Sequence, residues 1–549
     1  MLHILIGGAG CGKSTCLIQH LQKQLKAGEQ ILTLVPEQFS YEFDQKLYRI
    51  LGPVAFNQLE THSFKSLARA VFQRFGCVPD GKTNADELTK MALLYQAVLQ
   101  VSEREKKLQL LGKQCRQASF VSELAMMFTQ FRRSGIPPEQ LYNSSAELNG
   151  RLQEKMLDVF EIYQRYDQLL EQHQLKDTET DLSEAAAIAN GHDAFLGDVI
   201  FLDEFESFTE DEYQMLSVLL SSGKDLYIAL RMDHTRKEPF SLFAAVQETF
   251  CKIQDMAKKL RIPVETEVCD TPYRFQAAEL SWLNQHVFRN TQPFSGEAPH
   301  LHILEAQSPT EEVDYVCATI RRLLAKDHTL RCRDIAVLSN QMTDYRSILE
   351  TAMERYKLPY YMDEKESMLY TPLLVYLHTL LGILRQTRPD TELLMRLGKT
   401  GLTSCSVEEI SDLENYCYMW QIDGKTWNTP FTAGNFASAE AVRLKLLTPL
   451  QELREKLKGQ HTGAEFCSML YQFLTEQQVE EQLNRQLKII ADEQKRMQTS
   501  EEWALVWNSF IDILEHLSTL YRTLEMEFSE FSTVFAALTG NIQRATPPR

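Results

Sequence analysis

The sequence predicts an α/β protein built on parallel sheet and enlarged by long helical insertions. Three observations carry that expectation. An apolar run, Leu2–Ile6, passes directly into a glycine-rich turn, and helical apolar spacing follows at 17, 18, 21 and 25. Two more short apolar runs, Ile31–Val35 and Val199–Leu202, are set off by stretches of helical pattern. Runs apolar at every position suit strands buried on both faces, the arrangement of parallel sheets. Finally, the stretches 80–190 and 437–540 read chiefly as amphipathic helix.

Size and composition narrow the class. A chain of 549 residues is expected to hold three or four compact units. With 44% hydrophobic and 24% charged residues it is neither disordered nor collagen-like. No apolar run approaches the ~18 residues of a membrane span. The start, MLHILIGGAG, lacks the basic segment and small-residue cleavage site of a signal peptide, so a cytoplasmic location is expected. Lys and Arg total 57 against 75 Asp and Glu, a net charge of −18. That excludes a chain basic throughout, but not a local basic groove or a basic partner. The 11 cysteines include no CxxC pair and no zinc-finger arrangement, which reads as plain thiols. His300 and His302 would share one face of a strand, but without a third ligand they read as structural.

The first element is the most informative. Gly7-Gly8-Ala9-Gly10-Cys11-Gly12-Lys13-Ser14-Thr15 fits G-x-x-x-x-G-K-[ST], placed between a strand and a helix as that motif requires. Glycines let backbone N–H groups wrap phosphates, and the helix start adds a favourable field. Lys13 would reach the β- and γ-phosphates of ATP, and the Ser14 hydroxyl would hold Mg²⁺. A second acid is needed for the metal. Val199–Leu202 ends in Asp203-Glu204, so Asp203 is expected to hold Mg²⁺ and Glu204 to polarise the attacking water. In a parallel sheet, Gly7, Pro36, Thr61 and Asp203 would meet at the C-terminal strand edge.

The order GGAGCGKST, LTLVPEQFS, THSFKSLARAVFQRFG and VIFLDEFESFT resembles the first half of a UvrD/Rep-type superfamily 1 helicase. The longer phrases FRRSGIPPEQL, YRFQAAELSWLNQHVF, GLTSCSVEEISDLENYCYMWQIDGKTW and TGNIQRATPPR are similar to the AddB (RexB) family, B subunits of the bacterial ATP-dependent helicase–nuclease. The resemblance implies P-loop, RecA-like sheets with large helical insertions. It implies binding of ATP, Mg²⁺ and single-stranded DNA, and work on double-stranded DNA ends in double-strand-break repair by homologous recombination. It also implies an AddA-type motor partner and the reading of a short hotspot sequence. Family members run to about twice this length. Their second half carries a 5′–3′ exonuclease and a 4Fe–4S cluster, so this chain is expected to be an N-terminal portion. Two departures stand out: no adenine-reading Gln fits upstream of Gly7, and the strand Leu226–Leu230 is followed by Arg231-Met232-Asp233 without the usual Gln. Tyr273-Arg274 occupies a place similar to that of an Arg reaching the γ-phosphate from a second domain, so Arg274 is the candidate for that role.

The remaining elements complete the expected layout. Residues 1–270 form the first domain, with a helical insertion at about 80–190. Residues 271–385 begin a second RecA-like domain, with strands at His300–Leu304, Asp334–Leu338 and Pro359–Tyr361 and a helix over Glu311–Leu324. Residues 386–549 are mostly helical, with Trp503 and Trp507 as packed core. Lys65, Arg69, Arg116, Arg132 and Arg133 lie on elements expected to face DNA, and Phe64, Phe131 and Tyr273 are available aromatics. Two other functions fit the motifs: an autonomous motor with its own DNA-stimulated ATPase, and a scaffold stabilised by nucleotide. A P-loop kinase fails on size and on the lack of a basic lid.

Overall fold

Six strands form one sheet in which every neighbouring pair is parallel. They are β1 (Leu2–Gly7), β2 (Ile31–Leu34), β3 (Leu59–His62), β4 (Val199–Leu202), β5 (Asp225–Arg231) and β6 (Val264–Val268), in the order β3-β2-β4-β5-β1-β6. The structure, a computed structural model, describes all residues except 77–81, 105–106, 113, 115–117, 234–241, 288–292, 363–364, 495–496 and 546–549. Cys77, Cys115 and Arg116 therefore lie outside the described residues.

Alternation explains why most of these strands are apolar throughout. Leu2, Ile4, Ile6, Leu34, Leu202 and Ile228 enter one core. Leu5, Ile31, Val199, Phe201 and Ala229 enter another on the opposite face. Successive side chains of a strand point to opposite faces, so covering both faces demands apolar residues at every position. Helices α1 (Lys13–Lys26) and α2 (Ser40–Phe56) cover one face through Leu17, Leu21, Phe43 and Leu47. Helices α3 (Phe64–Phe75), α4 (Asp181–Gly191), α5 (Glu210–Ser222) and α6 (Ala244–Lys259) cover the other. The two edge strands are the exceptions: β3, Leu59-Glu60-Thr61-His62, has no fully buried residue, and β6, beside β1, has all five of its residues exposed.

Two compact units divide the chain. One comprises residues 1–85, 125–160 and 170–303, the other 86–124, 161–169 and 304–549. These limits differ from the sequence boundaries near 270 and 385, and part of the 80–190 insertion groups with the later residues. The reason is visible in helix Glu87–Leu99, which buries every residue from Ala92 to Val98. A helix apolar on all sides must be enclosed. It packs against helices Met497–Leu520 and Phe528–Gly540, and the Tyr521 hydroxyl donates to the Ala92 carbonyl at 2.6 Å. Trp503 is buried in that unit and Trp507 is half-buried against Phe510.

Helix Pro309–Lys326 forms as expected, capped by the Ser308 side chain, and packs on helix Met342–Arg355 through Val313, Cys317, Leu349 and Met353. The three strands expected near it do not form: among the described residues His300–Leu304, Asp334–Leu338 and Pro359–Tyr361 are not in any sheet. An apolar run suits a strand, but only lateral hydrogen bonding makes one, and no described segment pairs with these. Ile303 and Leu338 are 101% and 91% exposed instead of buried. His300 pairs with Glu279 and not with His302. Among the described residues no helix is long and apolar enough to cross a membrane.

The contrast between Ile228 and Ile303 gives a direct test. Ile228→Ala, in the sheet centre, is expected to cost about 2–5 kcal/mol in urea unfolding, whereas Ile303→Ala should stay within about 0.5 kcal/mol of the parent. A large loss at Ile303 would mean that its segment is packed in a sheet after all.

Candidate functional site

Parallel strands deliver their following turns to one edge. Gly7 and Arg231 end β1 and β5, while Asp203 follows β4 and Cys269 follows β6. Backbone bonds knit these ends: Asp203 N–H donates to Leu34 at 3.2 Å, Met232 N–H to Gly7 at 3.1 Å and Cys269 N–H to Ile6 at 2.8 Å. A cleft of about 940 Å³ opens there, lined by residues 9–16, Lys46, Asp203 to Glu206, Arg231, Glu267 to Thr271, Tyr273 and Arg274.

The glycine turn splits its work. Gly7 is buried and does not line the cleft; a Cβ there would lie 2.3 Å from the Cys269 carbonyl oxygen, so this glycine serves strand packing. Gly8 offers its carbonyl, which accepts from Lys13 Nζ at 2.7 Å. Gly10 and Gly12 have φ of +73° and +82°, the left-handed region that favours glycine. Ala9, Cys11 and Thr15 line the cleft beside them. Gly12 caps α1 without a side-chain hydrogen bond, at the helix start whose first-turn N–H groups have no partner within the helix.

The expected metal pair comes together. Asp203 is 4% exposed; its Oδ1 accepts the Glu204 N–H at 3.0 Å, and the Ser14 hydroxyl is close enough to favour the charged carboxylate. Its Oδ2 is buried without a hydrogen-bond partner. A buried carboxylate oxygen left unpaired beside a serine hydroxyl fits a hard divalent cation such as Mg²⁺. Burial pushes the Asp203 carboxyl above the usual range; the nearby Ser14 hydroxyl opposes this and the Glu204 charge adds to it. Burial also lowers the Lys13 ammonium, and Arg231 adds to that lowering.

Glu204 lines the cleft with a left-handed backbone, φ 64°, and its carboxylate lies 3.6 Å from Arg231. Arg231 stands where the expected Gln is missing, and it also lies 3.6 Å from Glu206. Arg274 arrives by a route other than expected. It belongs to the same compact unit as the glycine turn, just beyond β6. The N–H groups of Tyr273 and Arg274 both donate to Gly10, at 3.0 and 3.3 Å, and a Cβ on Gly10 would lie 2.4 Å from Arg274 Cβ. Tyr273 is exposed, its ring edge against Gly12. Sequence reasoning missed Lys46, which reaches the cleft from α2 and carries no motif signal. Of the residues expected to face DNA, Arg132 and Arg133 are paired with Asp177 and Glu179, while Lys65 and Arg69 are exposed. Phe64 is core, edge-on to Phe205 and Phe208.

Comparison with known proteins places the chain in a family. A profile for the family described as "ADDB, N-terminal" matches residues 4–284. The B subunit of the ATP-dependent helicase/deoxyribonuclease of Clostridium novyi is 25% identical over 547 residues, covering 97% of this chain and 47% of its own length. The proteins of that name from Acetivibrio thermocellus and Clostridium tetani are 25% and 26% identical, covering 99% and 97% of this chain and 51% and 49% of their own lengths. The chain thus spans about half the length of the curated relatives it matches.

The raised Asp203 carboxyl has a thermodynamic consequence. A folded-state value above the unfolded one gives stability that is full below the unfolded value and lost as pH rises through the folded one. At neutral pH the ionised group therefore costs stability. Asp203→Asn is expected to melt higher than the parent at pH 7.5 without ligand, with the gap closing on acidification toward pH 4. Calorimetry showing the variant less stable at pH 7.5 would overturn this reading.

Proposed function

The chain belongs to the AddB N-terminal family, and from that premise we propose that it is the ATP- and single-stranded-DNA-binding part of a helicase/deoxyribonuclease B subunit. The observation that carries the reading is the convergence of the Gly10–Gly12 turn, Lys13, Ser14 and the unpaired Asp203 oxygen on one strand edge. Backbone N–H groups of the turn and of the α1 start bind the phosphates. Lys13, now on the Gly8 carbonyl, swings to the β/γ-phosphate position. Ser14 and Asp203 would hold Mg²⁺, which supplies charge neutralisation of the phosphates when bound. Arg274 and Arg231 add positive charge at the open end. With no adenine-reading Gln, the exposed Tyr273 ring is the platform for the base. Lys65 and Arg69, exposed at the start of α3, are the basic positions we assign to DNA.

At the level of the whole protein, the reading is a heterodimeric enzyme with an AddA-type motor, acting on double-stranded DNA ends in recombinational repair. Nuclease activity and any 4Fe–4S cluster belong to the other half of the parent. Glu204 favours a second reading, in which the site also hydrolyses ATP: it lines the cleft one residue beyond Asp203. In that case Glu204→Gln would abolish turnover while leaving ATP binding intact.

Equilibrium binding of ATP with Mg²⁺ tests the leading proposal. Losing the Lys13 charge should cost about 1.5–3 kcal/mol, so Lys13→Ala is expected to bind roughly 10–150-fold more weakly. Tyr273→Ala should lose about 1–3 kcal/mol if its ring carries the base, and it should then bind ATP and inorganic triphosphate equally poorly. The lowered Lys13 ammonium predicts that affinity falls on raising pH earlier than for an exposed lysine. Single-stranded DNA binding by the heterodimer should weaken linearly in log–log salt plots. Unchanged ATP affinity in Lys13→Ala would sink the nucleotide site, and flat salt dependence would sink the DNA claim.

A further inference from the structure

A second cluster of ligand-type side chains stands where α1 meets the edge strand, and we propose that Cys16, His20 and Glu267 form a binding site for a zinc-class divalent ion. Topology assembles it. Cys16 and His20 are four residues apart on α1, so they share a face. Glu267 lies opposite Leu5 in the β1–β6 register. Leu5 packs into the core beneath α1, so its cross-strand neighbour on the exposed edge strand faces α1 too.

The distances suit a shared ion. Cys16 Sγ lies 3.2 Å from Glu267 Oε1, and His20 Nε2 lies 3.2 Å from Glu267 Oε2. One ligand atom from each residue lies within 4.8 Å of the other two. Zinc bonds of about 2.3 Å to sulfur and 2.0–2.2 Å to nitrogen and oxygen set tetrahedral ligands roughly 3.3–3.6 Å apart. Cys16 and His20 each meet a different oxygen of the Glu267 carboxylate, so side-chain adjustment within the 4.8 Å cluster would bring one atom of each onto a shared ion. A thiolate, an imidazole and one carboxylate select zinc over Mg²⁺ or Ca²⁺. The His20 ring is held by stacking on Tyr227, at 5.2 Å, and Tyr227 itself stacks on Phe201 at 4.7 Å. Cys269, two residues past Glu267, lines the same cleft wall as Cys16 and Glu267.

The site would tie the exposed β6 to α1. The segment that follows β6 carries Tyr273 and Arg274, whose N–H groups rest on Gly10. An ion here would therefore steady one wall of the main cleft. The site does not depend on nucleotide binding, and it is measured without nucleotide.

The experiment is a titration of the metal-stripped 549-residue chain with Zn²⁺ against a chromophoric chelator, followed by Co²⁺ substitution. One ion per chain and a tetrahedral cobalt spectrum with a thiolate charge-transfer band are expected. Cys16→Ser should remove that band. His20→Ala and Glu267→Gln should weaken binding by more than ~100-fold, beyond the loss typical of an outer-shell partner. Zn²⁺ should also slow hydrogen exchange in residues 264–274 of the unaltered chain, a measurement independent of whether any variant folds. A thiolate band that survives in Cys16→Ser, or exchange in 264–274 that ignores Zn²⁺, would overturn the proposal and leave a simple hydrogen-bonded triad.

Discussion

Everything polar in the first unit is governed by one constraint: its sheet is buried on both faces. Leu2 to Ile6, Ile31 to Leu34 and Val199 to Leu202 alternate between two apolar cores and leave almost no position for a charge. Polar chemistry is thereby driven to the strand ends, where backbone direction changes and side chains can reach solvent. Asp203 marks that boundary. It is the first residue after a fully buried strand, and its carboxylate is still buried, so the cleft begins with an acid that the fold has desolvated but not fully partnered.

The edge strand β6 shows what happens where the constraint lapses. With a neighbour on one side only and every residue exposed, its Val264-Glu265-Thr266-Glu267-Val268 sequence can carry three polar residues in a row. That freedom puts a carboxylate opposite Cys16 and His20. It also lets the chain turn back across the glycine loop immediately afterwards, so that Tyr273 and Arg274 cap the same turn that β1 delivers.

Legibility from sequence follows the same physics. The glycine turn, α1, β2 and β4, and the meeting of Ser14 with Asp203, were readable because short motifs and two-faced apolar runs are local signals. The route of Arg274 was not, since nothing in Tyr273-Arg274 says which unit it joins; the hydrogen bonds to Gly10 decide it. Lys46 was invisible because one lysine on a helix has no pattern. The three strands expected between 300 and 361 failed for a different reason: strand pairing is a property of two segments, and a single apolar run holds half of it. Helix Glu87–Leu99 reads as helix from its apolar spacing, but that spacing does not name the helices that enclose it.

The charge arrangement around Glu204 bears on what the cleft can do. A non-glycine residue at φ 64° costs of order 1–3 kcal/mol, a cost the surrounding structure must impose. Here the imposed turn places a carboxylate directly beyond Asp203 and within 3.6 Å of Arg231. That pair engages the Glu204 carboxylate with a guanidinium. Arg231 also lies 3.6 Å from Glu206 and lowers the Lys13 ammonium by its charge, so the arginine that stands in place of the usual glutamine ties the turn after β4 electrostatically to the lysine of the glycine loop.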